Sequence, residues 1–156
     1  MRTWGIDPGL RKCHLAVIED GKLVDSYAYE GQEEDLSAAL AALHIGTVSM
    51  AVSAWASHGT PDAIVVEQPS GTFDNLPLKY ATGVILAAAA KYGYATTLTS
   101  GQWRKIAFGN GGMKSAAAKA AAVELAKTLG YNGSSEDTAE AICLALAASM
   151  ETTKCS

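Results

Sequence analysis

The sequence predicts an α/β protein with a mixed five-stranded sheet and helices on both of its faces. Two observations predict this fold: three strand-like segments come first, separated by short turns, and strands then alternate with amphipathic helices. The chain has 156 residues, of which 49% are hydrophobic and 18% charged. These values are typical of one globular domain, so we expect residues 1–156 to form a single domain.

The expected strands have alternating or continuous apolar residues and stop at turn-forming residues. They cover residues 2–7, 14–19, 23–29, 63–67 and 94–99. The Asp20-Gly21 pair is typical of a tight hairpin turn, so we expect the first three strands to be antiparallel. The run at 63–67 is apolar without alternation, which indicates a strand buried on both faces.

The expected helices have apolar residues at helical spacing. From Glu33 to Trp55 these residues recur at steps of three, four and five, and Gly46 is a candidate for a bend or break. Further helices are expected over 76–92, from Ser100 over a short stretch, over 114–129 and over 136–150. Strands and helices together therefore predict a sheet covered on both sides.

The sequence also gives expectations about the cellular compartment. Its apolar stretches, such as residues 84–90, are short and alanine-rich for a membrane span, and the N-terminus lacks the pattern of a signal peptide. Three cysteines, Cys13, Cys143 and Cys155, show neither a disulfide framework nor zinc-site spacing. We expect an intracellular, cytoplasmic protein in a reducing compartment.

The charge distribution bears on a nucleic-acid partner. The net charge of −4 argues against a polyanionic partner, but residues 75–135 contain seven lysines and arginines and one acid, Glu124. Acids concentrate instead in the first 35 residues and at a few later positions, where bound divalent cations would offset their charge. The basic region either contacts phosphates or simply solvates helix faces.

Two acids stand at the ends of expected central strands. Asp7 precedes Pro8-Gly9, which stops the first strand, and Glu67 ends the apolar strand directly before Gln68-Pro69. Sites in open sheets gather beyond the carboxyl ends of strands, and adjacent strands lie about 4.8 Å apart. We therefore expect Asp7 and Glu67 to share one ligand.

A second pair of acids opens the last expected helix. Asp137 and Glu140 are three residues apart and so lie on one helix face, after Ser134 or Ser135 as the N-cap. First-turn acids also complement the helix dipole, which is the interpretation we favour for Glu136. For Asp137 and Glu140, the two strand-end acids favour a shared site.

Four converging carboxylates need cations, because their mutual repulsion would otherwise raise their pKa values. A set of oxygen ligands without cysteine or histidine is typical of Mg²⁺, with Mn²⁺ as a substitute. Two such ions can activate water and stabilise the departing oxygen at phosphorus. The acids therefore predict a two-metal site for phosphodiester hydrolysis.

Three segments then resemble a known family. They are Gly5-Ile6-Asp7-Pro8-Gly9, Val65-Val66-Glu67-Gln68 and Asp137-Thr138-Ala139-Glu140-Ala141. In order and spacing they resemble the active-site segments of RuvC-type Holliday-junction resolvases, of the ribonuclease-H-like superfamily. Gly109 to Ser115 also resembles the family's glycine-rich turn, in which Lys114 matches a DNA-contacting lysine.

The resemblance implies a crossover junction endodeoxyribonuclease: a homodimer that binds four-way DNA junctions and nicks two strands symmetrically. It implies that Asp7, Glu67, Asp137 and Glu140 are catalytic metal ligands. The fourth position is more usually aspartate in the family, so Glu140 is a departure. The family is also commonly basic, so this acidic chain suggests a divergent branch of phage or other mobile-element origin.

Other residues are candidates for DNA contact. The resemblance implies that Phe73, in the polar loop after Glu67, stacks on an unpaired base, although it could equally pack under the loop. Arg104 and Lys105 on the short helix, together with Lys114, are the cationic candidates. We expect Trp103 in the core, and the three histidines in structural or surface positions. Small residues in the helix at 76–92 would allow self-packing into a dimer or packing on the sheet.

Three alternatives stay open. The nearest is a YqgF-like nuclease acting on RNA, against which Asp137, Glu140 and Lys114 argue. Actin-like ATPases share the first strand motif but need two such domains. The third is a non-catalytic junction-binding module, against which the intact acids argue.

Overall fold

The computed structural model describes residues 1–69 and 75–154, without the side chains of 152–154, and has a five-stranded sheet in the order β3-β2-β1-β4-β5. The strands are β1 Arg2–Pro8, β2 Lys12–Glu19, β3 Lys22–Glu30, β4 Ala63–Gln68 and β5 Ala95–Thr99. Strands β1, β2 and β3 are antiparallel neighbours, whereas β4 is parallel to both β1 and β5. The predicted mixed sheet and its opening antiparallel strands are confirmed.

The helices follow the predicted order. They are α1 Leu36–His58, α2 Leu76–Ala89, α3 Ser100–Phe108, α4 Ser115–Thr128 and α5 Glu136–Lys154. The expected bend or break at Gly46 is wrong, because α1 is continuous there. Gly46 is buried, and a Cβ atom at this position would lie 2.3 Å from ring atoms of Tyr29, so the glycine provides room for packing.

The two faces of the sheet are covered by different helices. Helices α1 and α2 pack on the face that presents Trp4 and Ile6 of β1, and α5, flanked by α3 and α4, packs on the opposite face. Because side chains alternate along a strand, Gly5 and Asp7 face α5. Helices on both faces confirm the predicted fold class.

Helix α1 is the one described helix that is long and apolar enough to cross a membrane. Its inner side, including Leu43, Met50 and Ala54, packs in the core of the sheet. Its outer side is also partly apolar, since Ile45, Val52 and Trp55 are 69%, 46% and 50% exposed. We interpret α1 as a core helix.

Candidate metal centre

Asp7 and Glu67 occupy the ends of two hydrogen-bonded parallel strands. Ile6 on β1 pairs in register with Val66 on β4, and each acid is the next residue along its strand. Ile6 and Val66 point into the core beneath α1 and α2, so the acids point to the other face. Strand register therefore brings the two carboxylates to one edge of the site beneath α5.

Helix α5 supplies the other two acids. Ser135 caps this helix, since its Oγ accepts a hydrogen bond from the Thr138 amide at 3.2 Å. One carboxylate oxygen each from Asp7, Asp137 and Glu140 lies within 4.8 Å of the others. Three of the four predicted residues thus form a cluster of metal-ligating size.

Glu67 stands beside this cluster and is held by α3. It accepts hydrogen bonds from the Ser100 hydroxyl and, at 3.0 Å, from the indole Nε1 of the fully buried Trp103. Glu67 is not one of the three acids whose oxygens lie within 4.8 Å of one another. Its charge nevertheless raises the pKa of both Asp7 and Glu140. Trp103 therefore lies in the core, as predicted, and also positions a site residue.

Burial and mutual repulsion perturb the acids. Burial, followed by the charges of Glu67, Glu140 and Asp137, raises the pKa of Asp7 well above its ordinary value. Burial and Glu67 likewise raise the pKa of Glu140. Both carboxylates would be more readily ionised with a cation among them. The oxygen-only donor set and this unfavourable charge together fit a divalent metal ion.

Asp137 differs because lysines surround it. Burial acts to raise its pKa, but the hydrogen bond and charge of Lys12, with Lys119 and His14, outweigh burial and lower the pKa. Lys12 Nζ forms an ion pair with Asp137 Oδ2, and Lys119 Nζ lies 3.7 Å from Oδ1. Asp137 is therefore an ionised acid with cations on both of its oxygens.

His14 is also part of this site. It pairs with Asp7 in the register of β1 and β2. Its Nδ1 lies 2.9 Å from Thr138 Oγ1, and its Nε2 lies 3.9 Å from Asp137 Oδ2. Burial lowers the pKa of His14, so it contributes a hydrogen-bonding ring that braces the start of α5.

The predicted DNA-contacting residues lie in different environments. Arg104 is largely buried, with Nη2 3.3 Å from Glu140 Oε1 and its guanidinium 5.2 Å from the centre of the Trp103 ring. A contact between Arg104 and DNA stays a prediction. Lys105 and Lys114 are exposed, and neither forms an ion pair within the described part of the chain. Phe73 lies outside the described residues.

Several site residues were missed by reading the sequence. Lys12 and His14 are two residues apart on β2 and so share one face of the sheet. Ser100 belongs to α3 and Lys119 to α4. The expected hairpin could have indicated Lys12 and His14. Because β1 stops at Pro8, an antiparallel partner that begins near Lys12 places His14 opposite Asp7. Lys119 had no comparable local signal.

Comparisons with known proteins bear on this geometry. No protein-family model matches the chain. It is 32% identical over 116 residues to the crossover junction endodeoxyribonuclease RuvC of Corynebacterium efficiens, across 71% of this chain and 52% of that protein. It is 28% identical over 155 residues to the RuvC protein of Renibacterium salmoninarum, across 94% of this chain and 78% of that one. The chain is a relative of the RuvC proteins.

The fold of this RuvC relative agrees with a solved structure. The complex of Thermus thermophilus RuvC with a Holliday junction substrate superposes with a TM-score of 0.77 at 19% identity, over 100% of this chain and 97% of that one. This likeness confirms the predicted ribonuclease-H-like fold. The chain spans about half the length of the first curated relatives it matches, at 52% of each. Those relatives are bacterial and give no support to a phage origin.

Proposed function

We propose that this RuvC relative is a structure-selective endonuclease that resolves four-way DNA junctions by metal-dependent phosphodiester hydrolysis. The observation that supports this most directly is the cluster of Asp7, Asp137 and Glu140, in which one carboxylate oxygen from each residue lies within 4.8 Å of the other two. The names of the relatives, crossover junction endodeoxyribonucleases, supply the reaction and the substrate class. Residues 1–156 would act as one domain in the cytoplasm.

We propose Mg²⁺ as the metal, with two ions bound and Mn²⁺ as a substitute. Asp7, Asp137 and Glu140 would supply oxygen ligands, and Glu67 would join them from its place against Trp103. The ions would supply activation of water and stabilisation of the departing oxygen. Glu140 is the buried member of the cluster and pairs with Arg104, and its side chain is longer than the aspartate usual at this position in the family.

We propose that the junction binds across a basic surface formed by Arg104, Lys105 and Lys114. Lys105 and Lys114 are exposed cations suited to phosphates. Arg104, which pairs with Glu140, is the third cationic candidate. Phe73, in the loop after Glu67, would stack on an unpaired base of the junction. Contacts with DNA phosphates position the protein on the DNA but do not distinguish one DNA from another. Selectivity for branched DNA therefore requires that the protein recognise the shape of the junction.

We also propose a homodimer through α2. The exposed side of this helix presents a row at steps of three and four, formed by Leu76, Tyr80, Gly83 and Ala87, and the exposed C-cap residue Ala90 follows the same spacing. Leu76 is 41% and Tyr80 50% exposed. The small residues allow two copies of α2 to approach closely about a two-fold axis, and the two larger ones would be covered. Two such active sites could cut a junction symmetrically.

The decisive experiment compares four-way, three-way, flap and linear DNA, and an RNA duplex, in a gel cleavage assay with Mg²⁺. We expect four-way junctions to be cut preferentially, and Asp7→Asn and Glu67→Gln to abolish cleavage while junction binding in Ca²⁺ stays measurable. Glu124→Gln, which changes an exposed acid on α4, is the matched control and should cut like the parent. Mg²⁺-dependent cleavage by purified Asp7→Asn protein would refute the proposal, and preferential cutting of RNA would favour the YqgF-like alternative.

A further inference from the structure

We propose that Lys12 competes with the metal ion for Asp137 and thereby weakens metal binding by the DNA-free protein. Lys12 is a positioning residue in this role, since it acts on the metal only through Asp137. The inference rests on the metal site of the proposed function.

The first step is the occupation of Asp137 by cations of the chain itself. Lys12 Nζ contacts Oδ2, and Lys119 Nζ lies 3.7 Å from Oδ1. A hard divalent ion needs a carboxylate oxygen at about 2.0–2.1 Å for Mg²⁺. An ammonium group on the same oxygen excludes the ion sterically and repels it by its charge. Metal binding through Oδ2 therefore requires Lys12 to leave.

The two lysines are not equivalent competitors. Lys119 Nζ also pairs with Glu136 Oε2 at 3.1 Å, so its charge is shared with an acid outside the cluster. Lys12 has no other ion pair in the described residues. Removing Lys12 therefore deprives Asp137 of its closest and least compensated cation.

The turn between β1 and β2 holds Lys12 in place. The Gly9 amide donates to the Lys12 carbonyl at 2.7 Å, and a Cβ atom on Gly9 would lie 2.8 Å from Lys12 Cγ. The absence of a side chain at position 9 lets the aliphatic stem of Lys12 cross the turn toward α5. The ammonium therefore reaches Asp137 from a strand that starts beside Asp7 in the sheet.

Lys12 can also leave without disturbing the core. Its side chain is 48% exposed, and that of Asp137 is 21% exposed. A long side chain at the surface loses entropy when fixed in an ion pair, which limits the strength of the pair. Lys12 is therefore an exchangeable competitor, and its effect on metal affinity should be moderate.

The test measures Mn²⁺ binding to DNA-free protein by isothermal titration calorimetry. We expect Lys12→Met and Lys12→Gln to bind Mn²⁺ about two- to fivefold more tightly than the parent, as the range for exposed ion pairs suggests. Lys12→Arg keeps the cation and should bind like the parent. Lys22→Met removes an exposed lysine at the opposite end of the β2–β3 hairpin and is the matched control.

Thermal melting separates competition from a merely structural role. In EDTA, Lys12→Met should melt below the parent, because Asp137 loses its closest cation, and saturating Mn²⁺ should remove this difference. A structural role would lower the melting temperature equally in both buffers, which would overturn the proposal.

The binding data distinguish the two possible failures. If the parent binds Mn²⁺, Asp7→Asn does not, and the neutral Lys12 variants bind no more tightly than the parent, competition is refuted and the metal site stands. If neither the parent nor Asp7→Asn binds Mn²⁺, the metal site itself is refuted and the inference with it.

Discussion

Gly5 of β1 lies directly against the backbone of Ala145 in α5. A Cβ atom on Gly5 would be 2.4 Å from Ala145 N and 2.2 Å from the carbonyl oxygen of Ala141. Two residues earlier on β1, Thr3 Oγ1 donates to the Ala145 carbonyl at 2.9 Å. This close approach places the first turn of α5 over the end of β1. The distance from Asp7 to Asp137 and Glu140 therefore depends on the absence of a side chain at position 5.

We expect Gly5→Ala to lower the free energy of unfolding by about 3 kcal/mol, the upper part of the usual range for overpacking, because backbone atoms of a buried helix must move. Urea unfolding followed by circular dichroism measures this change. Gly101→Ala is the control, since the nearest atom to its Cβ would lie at an ordinary 3.6 Å. Equal destabilisation by the two substitutions would contradict the role of Gly5.

We expect Asp7→Asn to melt higher than the parent in EDTA at neutral pH. Burial and neighbouring acids raise the pKa of Asp7, so its ionised form destabilises the fold. Each kcal/mol of relief should raise the melting temperature by about 2–4 °C. Differential scanning calorimetry measures the shift, and an unchanged or lower melting temperature would argue against clustering.

The pH dependence of the parent in EDTA should have the matching sign. A raised folded-state pKa gives stability that is present at low pH and lost as the pH rises through that pKa. The free energy of unfolding of the parent should therefore increase relative to Asp7→Asn as the pH falls from neutral toward 5. Chemical denaturation at a series of pH values tests this, and parallel curves for the two proteins would contradict it.

We expect Trp103→Phe to lower the free energy of unfolding by about 1–3 kcal/mol and to reduce cleavage. The substitution keeps an aromatic ring beside Phe108 but removes the N–H donor to Glu67, so that Oε2 of Glu67 loses this hydrogen bond while Oε1 keeps the one from Ser100. Urea unfolding and single-turnover cleavage measure the two effects. Trp55→Phe, at a half-exposed position on α1, should change neither.

We expect Tyr80→Glu to convert a dimer into a monomer. A charge at this position would face its symmetry mate across paired α2 helices and repel it. Sedimentation velocity at micromolar concentration measures the change, with Tyr94→Glu as a control at a 76% exposed position outside α2. A parent that sediments as a monomer, or a Tyr80→Glu variant that stays dimeric, would exclude this interface.

Local patterns in the sequence determined a large part of this protein. Strand periodicity and the turn residues after Asp7 and Glu67 placed both acids at strand ends, and the spacing of Asp137 and Glu140 placed them on one helix face. These features are readable because helix and strand periods are fixed by the backbone. The prediction at Gly46 was wrong because contact with the distant Tyr29 ring, rather than helix propensity, decides that position.

Only the tertiary structure decided how these pieces meet. Gly5 sets the approach of α5, Trp103 holds Glu67, and Lys12 covers Asp137, each across a long separation in the chain. Such contacts depend on which helix packs over which strand, and side-chain type alone does not encode that choice. The sequence by itself therefore indicated the acids that the fold brings to one face of the sheet. The packing of α5 on β1 decided their separation and the lysine that neutralises one of them.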